Sequence, residues 1–350
     1  MQHVGKFLGA CAAAALLVAC GGGTNGPSAS TPTAVVPSTV AQQFASLGSL
    51  LPRGSGHLYV ANHGPAPGSV TVYDQNTASL LRTISQGVSN PNALAFDGSR
   101  NLYVANSFTN TVTVYAPGKT AVLRTISQGL NSPSALVFDS SGNLYVSNSG
   151  GDTVTVYAPG GTSVLRTILQ GVSNPYRLAF SSSGNLFVAN LGSNTVTVYP
   201  PGIRRVHRTI SQGVNSPSAL VFDSSGDLYV ANYVGDTVTV YGPGRTSVLR
   251  TISHGVYNPT ALAFDRSGNL YVANLPGNNV TVYAPGKTSV LRTISHGISN
   301  PYALAFSRVG YLFVANTSAN TVTIYAPGSS NIHQTIAQGV NEPFELAFGP

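Results

Sequence analysis

A pentapeptide that returns at a fixed interval limits this chain more than any other feature. Leu-Tyr-Val-Ala-Asn or a near copy begins at Leu58, Leu102, Leu144, Leu186, Leu228, Leu270 and Leu312, with spacings of 44 and then 42 five times. The two extra residues fall in one loop, His63 to Ser69, so the repeating unit is intact. Each unit carries four short β-type segments: in the second copy Ala93–Phe96, Leu102–Asn106, Val112–Tyr115 and Val122–Ile126. Between them stand turn residues such as Asp97-Gly98-Ser99 and Ala116-Pro117-Gly118, where Asp accepts backbone hydrogen bonds, Pro fixes φ and Gly opens the left-handed region. Four strands in about 42 residues, repeated seven times, predict an all-β chain: a seven-bladed β-propeller of four-stranded antiparallel blades. Apolar bodies on both alternating faces of the strands agree with blades packed between two neighbours.

The two ends of the repeat predict how the ring closes. The chain finishes with Glu345-Leu346-Ala347-Phe348-Gly349-Pro350, a copy of the first strand with no unit behind it. The first unit lacks a good copy, having Ser49-Leu50-Leu51-Pro52 in that place. The C-terminal strand is therefore expected to complete blade one, which removes the exposed edges of an open array.

Composition narrows the remaining classes. Gly 38, Pro 22 and 8% charged residues occur with 42% hydrophobic ones, which is too apolar for a disordered chain. Both cysteines, Cys11 and Cys20, lie near the N-terminus, so the domain has no disulfide framework. Met1 to Lys6 is a short basic n-region, and the apolar stretch Phe7 to Val18 is too short to span a bilayer. It ends in Leu17-Val18-Ala19-Cys20, which resembles the lipobox of bacterial lipoprotein signals. The resemblance implies cleavage before Cys20 and acylation of that residue. From Gly21 to about Gly48 the chain is Gly, Ser, Thr, Pro and Ala without charge, a flexible tether reaching roughly 30 Å. The expected organisation is a signal peptide at 1–19, lipidated Cys20 and tether at 20–48, and one propeller domain at 49–350. The expected location is the bacterial cell envelope, with the protein exported, monomeric and anchored to a membrane by its N-terminal lipid.

Leu-Tyr-Val-Ala-Asn, then Asn-Thr-Val-Thr-Val-Tyr, Arg-Thr-Ile, Asn-Pro and Ala-Leu-Ala-Phe resemble the YVTN-type propeller repeat and also the NHL repeat, over about Leu58 to Phe348. The resemblance implies the fold and leaves function open, because such propellers serve as surface modules, binding platforms and enzymes. The chain has Ala where the YVTN core has Thr, and Asn where an Asp is common in NHL repeats.

Candidate functional residues are read from departures from the repeat. The seven asparagines Asn62, Asn106, Asn148, Asn190, Asn232, Asn274 and Asn316 recur at one position and are expected to cap turns. Arg82, Arg124, Arg166, Arg208, Arg250 and Arg292 recur on the fourth strand and are expected to form a basic belt on the outer rim. Variation concentrates between the fourth strand and the next blade. There Tyr176, Arg177, His254, Tyr257, His296, Tyr302 and Phe344, with His63 and Tyr233 in the other loop set, suit stacking on a sugar ring or gripping a peptide. Tyr176, Arg177, His254, His296, Tyr302 and Phe344 are the ligand-binding candidates for a protein or glycan partner on the loop face. Nucleic acid is not expected, since no aromatic and basic platform is concentrated on one element. No catalytic residue, metal site or cofactor is assigned, because the glutamates number just two, Glu342 and Glu345, and the aspartates sit mostly in repeated turns. The reading is a non-catalytic binding or surface scaffold module. Its competitor is a metal-dependent lactonase or lyase using Glu342 or Glu345 with His254 or His296, since enzymatic propellers similar to gluconolactonases hold a divalent metal with carboxylates and an amide.

Overall fold

In the computed structural model, residues 56–64 and 67–350 are described. The signal, Cys20, the tether and residues 49–55 of the expected domain lie outside them. The described residues form seven four-stranded antiparallel sheets, each ordered first to fourth strand from the inside out. Blade one joins His57–Asn62, Ser69–Asp74 and Leu80–Ile84 to the C-terminal strand Pro343–Gly349. That last strand pairs with the first in antiparallel register, Leu58 opposite Phe348 and Val60 opposite Leu346, which is the closure expected from sequence. Neighbouring innermost strands touch all the way round, from Pro91–Phe96 through Pro301–Phe306 to Pro343–Gly349.

Burial explains why the ring needs seven similar units. In each blade the first and second strands are almost wholly buried, and the fourth alternates between exposed and half-buried residues. One cluster combines Ala219, Val221, Ala231, Val238 and Val240 of one blade with Leu262, Phe264, Leu270 and Val272 of the next, and equivalent clusters fill the other interfaces. An aromatic pair crosses every interface edge to face, from Tyr59–Phe96 at 4.9 Å to Phe313–Phe348 at 5.1 Å. This geometry sets the electropositive ring edge against the π face.

Polar side chains fix the loops at one end. Tyr115 on a third strand donates its hydroxyl to Gln86 O at 2.5 Å, and its six counterparts bond the equivalent carbonyl. The repeated asparagines go beyond turn capping. Asn106 accepts from Ser89 N at 2.9 Å and donates to Thr113 Oγ1 at 3.0 Å, tying the loop entering the blade to its third strand. All seven make this pair of bonds with their own loop and threonine. They are therefore structural at the rim of every blade.

The expected basic belt takes a different form. Each of the six arginines lies over the aromatic ring on the second strand of its own blade, at 5.4 to 5.9 Å. Arg82, Arg124 and Arg250 also donate to the tyrosine hydroxyl beneath, as do Arg166 and Arg292. The guanidiniums cover the outer edge of the blade core, an arrangement in which cation–π attraction competes with any external anion. Leu81, Leu123, Leu165, Leu249 and Leu291 face outward beside them.

Leu346 on the closing strand is fully buried, whereas Leu123 is 52% exposed. Leu346→Ala is expected to lower unfolding free energy by about 2–5 kcal/mol and Leu123→Ala by less than about 0.5 kcal/mol, read from denaturant melts. Equal losses would mean that the C-terminal strand does not close the ring.

Candidate functional site

The innermost strands carry departures from the repeat that meet in space. Every one of them carries a register shift after its leading proline, so the second residue is a bulge residue released from the ladder. A bulge re-aims the side chain it carries. The bulge residues around the ring are Asn92, Ser134, Tyr176, Ser218, Thr260, Tyr302 and Phe344. Where they are small and polar they join adjacent blades by bonding the next blade's leading proline carbonyl. Asn92 Nδ2 donates to Pro133 O at 3.4 Å, Ser134 to Pro175 O at 2.8 Å, Ser218 to Pro259 O at 2.5 Å and Thr260 to Pro301 O at 2.7 Å.

Blades one, four and seven replace this polar residue with Phe344, Tyr176 and Tyr302. Other groups take over two of the three lost bonds. Thr317 donates to Pro343 O at 2.8 Å, and the His63 ring bonds both Pro91 O and Asn92 Oδ1, the latter at 2.8 Å. The freed aromatic rings meet. Phe344 stacks on His63 at 3.8 Å and meets Tyr302 in a tilted contact at 4.7 Å, and Tyr176 packs in the same cluster with Leu191. An aromatic layer thus crosses the axis at the end where the loops between blades lie.

The third residue of the same strands is alanine in five blades: Ala93, Ala135, Ala219, Ala261 and Ala303. The other two are Arg177 and Glu345, in blades four and one, as far apart as a ring of seven allows. Both are buried, at 4% and 3% exposure. Arg177 folds back over Tyr176 with its guanidinium carbon 4.2 Å from the ring centroid, and its Nη1 donates to Tyr176 O at 2.8 Å and Ser134 O at 3.3 Å. Nε and Nη2 of Arg177, and Oε2 of Glu345, are buried without a hydrogen-bond partner. The two side chains do not close into an ion pair; among the described residues that contact belongs to Arg250 and Asp227, at 3.8 Å. Buried polar atoms of this kind normally have a partner; the six repeated arginines also leave Nε unpartnered, so it is Nη2 of Arg177 and Oε2 of Glu345, on facing strands, that set this place apart.

Electrostatics follow from the burial. Loss of hydration pushes the Glu345 carboxyl up to about 8, with the Arg177 charge pulling the other way. Loss of hydration also pushes His63 down to about 4, against the raising effect of its bonds to Asn92 and Pro91. At neutral pH the site therefore holds a neutral imidazole and a carboxyl that retains its proton.

The sequence candidates separate into two groups. Tyr176, Arg177, Tyr302 and Phe344 come together, on the innermost strands rather than in the loops where sequence reasoning put them. His254 and His296 stay outside. Their rings are exposed, and their carbonyls accept the Tyr283 and Tyr325 hydroxyls as Gln86 does for Tyr115. Glu342 is exposed with φ at 47°, in the left-handed position that Asn or Ser fills in other blades. Glu345 and the histidine pair are thus not neighbours. Glu345 as the counterpart of Arg177 was missed, although an alanine column interrupted twice by opposite charges is a readable signal. A divalent metal does not fit: among the described residues no three His, Cys, Asp or Glu converge, and the one buried carboxylate shares its surroundings with a guanidinium.

Residues 53–192 match the family described as the SMP-30/gluconolactonase/LRE-like region. The match takes in Arg177, Tyr176 and His63 and stops short of Tyr302, Phe344 and Glu345. No curated protein matches the sequence at a significant level. Solved structures similar to this chain include a protein from Desulfotomaculum acetoxidans described as functionally unknown, with TM-score 0.69 and 16% identity over 84% of this chain and 99% of that one. Another is a candidate 6-phosphogluconolactonase from Bacteroides uniformis, with TM-score 0.67 and 17% identity over 85% and 100%. A streptogramin B lyase gives TM-score 0.64 and 10% identity over 80% and 87%. At such identities the likeness is one of fold.

The two shifted groups give the stability profile a shape. The folded His63 binds fewer protons than the unfolded one between about 4 and 6.5, so its contribution rises with pH there. The folded Glu345 binds more protons than the unfolded one between 4.5 and about 8, so its contribution falls with pH there. The slopes offset each other up to 6.5, after which stability is expected to fall by about 2 kcal/mol by pH 8. Glu345→Gln should flatten that fall, and His63→Gln should start it near 4.5, in urea melts across pH. A fall that persists in Glu345→Gln would remove Glu345 as its source.

Proposed function

We propose that this chain is an exported, lipid-anchored propeller that acts as a non-catalytic binding module for a protein or glycan, engaging it at the end of the axis where Tyr176, Tyr302 and Phe344 meet. The observation that carries the reading is the confinement of asymmetry. The bulge position departs from small polar residues in three blades, and the next position departs from alanine in two of those three, so one place in a repetitive ring is chemically distinct. Half-buried Tyr302 presents a ring edge beside Phe344, the kind of surface on which sugars and peptides stack. Export and anchoring rest on the lipobox resemblance at Cys20.

A second reading is a lactone hydrolase, favoured by the family match over 53–192 and by the buried proton on Glu345, which a general acid needs. The absence of converging metal ligands among the described residues weighs against its metal-dependent form.

The deciding experiment measures metal content after dialysis against a weak chelator, δ-gluconolactone hydrolysis, and capture of partners on glycan and peptide arrays. The binding reading expects substoichiometric metal, hydrolysis at the uncatalysed rate, and capture that Tyr302→Ala abolishes without lowering the melting temperature. Near-stoichiometric metal, or hydrolysis lost in Glu345→Gln, would replace it with the hydrolase. Cys20→Ser is expected to move the protein from the membrane to the soluble fraction; continued membrane association would overturn the lipid anchor.

A further inference from the structure

We propose that Arg177 and protonated Glu345 form a buried receptor for one small carboxylate group. This rests on the binding reading and gives that site its ligand chemistry. The argument begins with which edge of the guanidinium is spent. Nη1 is held by Tyr176 O and Ser134 O, whereas Nε and Nη2 are buried and unpartnered. Those two nitrogens form one edge of the planar fork, and their parallel N–H bonds match the two oxygens of a carboxylate. The stack on Tyr176 and the two backbone bonds fix the plane of the fork, so its free edge is already oriented.

Charge balance supplies the proton. A guanidinium this deeply buried stays ionised and calls for one negative charge. Glu345, the nearest acid acting on it, is not close enough to pair, and its own Oε2 lacks a partner. An entering carboxylate beside an ionised Glu345 would put two negative charges on one positive charge in a dry site. Protonation of Glu345 removes the excess and leaves an O–H that can donate. The other ionisable groups are His63, stacked on Phe344 and neutral above about pH 4, and the phenols of Tyr176 and Tyr302. The aromatic layer offers its faces to the apolar remainder of a small acid, which gives the ligand class as a monocarboxylate with a short apolar or sugar-like body.

Acetate is the probe. Calorimetric titration of the full chain with sodium acetate, with chloride as the ionic-strength control, is expected to show saturable binding at pH 6. Binding should be about tenfold weaker at pH 9, one unit above the Glu345 midpoint. Near pH 8, titrations in buffers of different ionisation heat should report proton uptake with each acetate bound. Arg177→Gln should abolish binding and Arg177→Lys, which keeps the charge without the fork, should weaken it. Glu345→Gln should bind at pH 6 and lose the pH dependence; this variant needs no new buried charge and keeps the test open should Arg177→Gln fail to fold. Absence of saturable acetate binding at pH 6, or a pH dependence unchanged in Glu345→Gln, would overturn the proposal. Loss of acetate binding with array capture retained would sink this site alone, whereas acetate binding accompanied by lactone hydrolysis would sink the binding reading.

Discussion

Every blade buries both faces, and this single requirement organises the rest of the molecule. A sheet with apolar side chains on both sides needs a neighbour on each, and a chain of such sheets is relieved of its last exposed face only by returning to its start. The edge-to-face aromatic pairs show how evenly the condition is met, since the Phe313–Phe348 contact that closes the ring has the same form as the six that build it. Even spacing leaves little tolerance. A blade that packed at its own angle would open a gap elsewhere in the circle, so selection for closure keeps the units alike. The cost is chemical monotony, because a side chain copied seven times does the same job seven times.

The asparagines and arginines illustrate that monotony. Each repeated Asn spends both ends of its amide on its own blade, and each repeated Arg spends its guanidinium on the ring beneath it. The asparagines have both amide ends committed, and the arginines are held flat over their rings with a buried Nε left unpartnered. Function in such a ring has to come from positions where the copying stops. The bulge suits this, because its residue is released from the ladder and the same register shift recurs in every blade whatever side chain it carries. Where the residue after it is alanine it packs against the next blade, as Ala219 and Ala261 do, so Arg177 and Glu345 stand in place of apolar interface contacts. The inter-blade bonds lost at Tyr302 and Phe344 are recovered through Thr317 and His63, so the departure is compensated locally.

Most of the fold was legible in the chain itself. Strand number, blade number and the closing role of Glu345 to Pro350 follow from a period, a count and an unpaired copy, and these are local properties that tertiary contacts reinforce. The site was legible only in part. Tyr176, Arg177, Tyr302 and Phe344 stood out as departures, yet they were placed in loops because the leading proline reads as loop punctuation. The proline in fact opens the strand, its missing N–H costing nothing at a position where the ladder slips. The electrostatic influence of Arg177 on Glu345 was hidden for a different reason. They are 168 residues apart in the chain, and their proximity arises from closure around an axis, which no spacing along the sequence encodes. The arginines lie on the outermost strand as expected, but their stacking on the rings beneath was not legible, because a strand pattern gives the face of a side chain and not what lies under it.

The likeness to gluconolactonase-type propellers and the chemistry of the axis pull in different directions, and the physical contrast between them decides what each can mean. A divalent ion on an axis requires several acids or amides aimed at one point with little positive charge nearby. This axis presents one guanidinium, one carboxyl that keeps its proton near neutrality and a layer of aromatic rings. The same scaffold position has therefore been given a donor-rich lining where a metal site would need an acceptor-rich one. A closed ring makes such an inversion easy. The backbone around the axis is held by the sheets behind it, so the lining can change sign without changing the fold, and resemblance of fold carries no information about that sign.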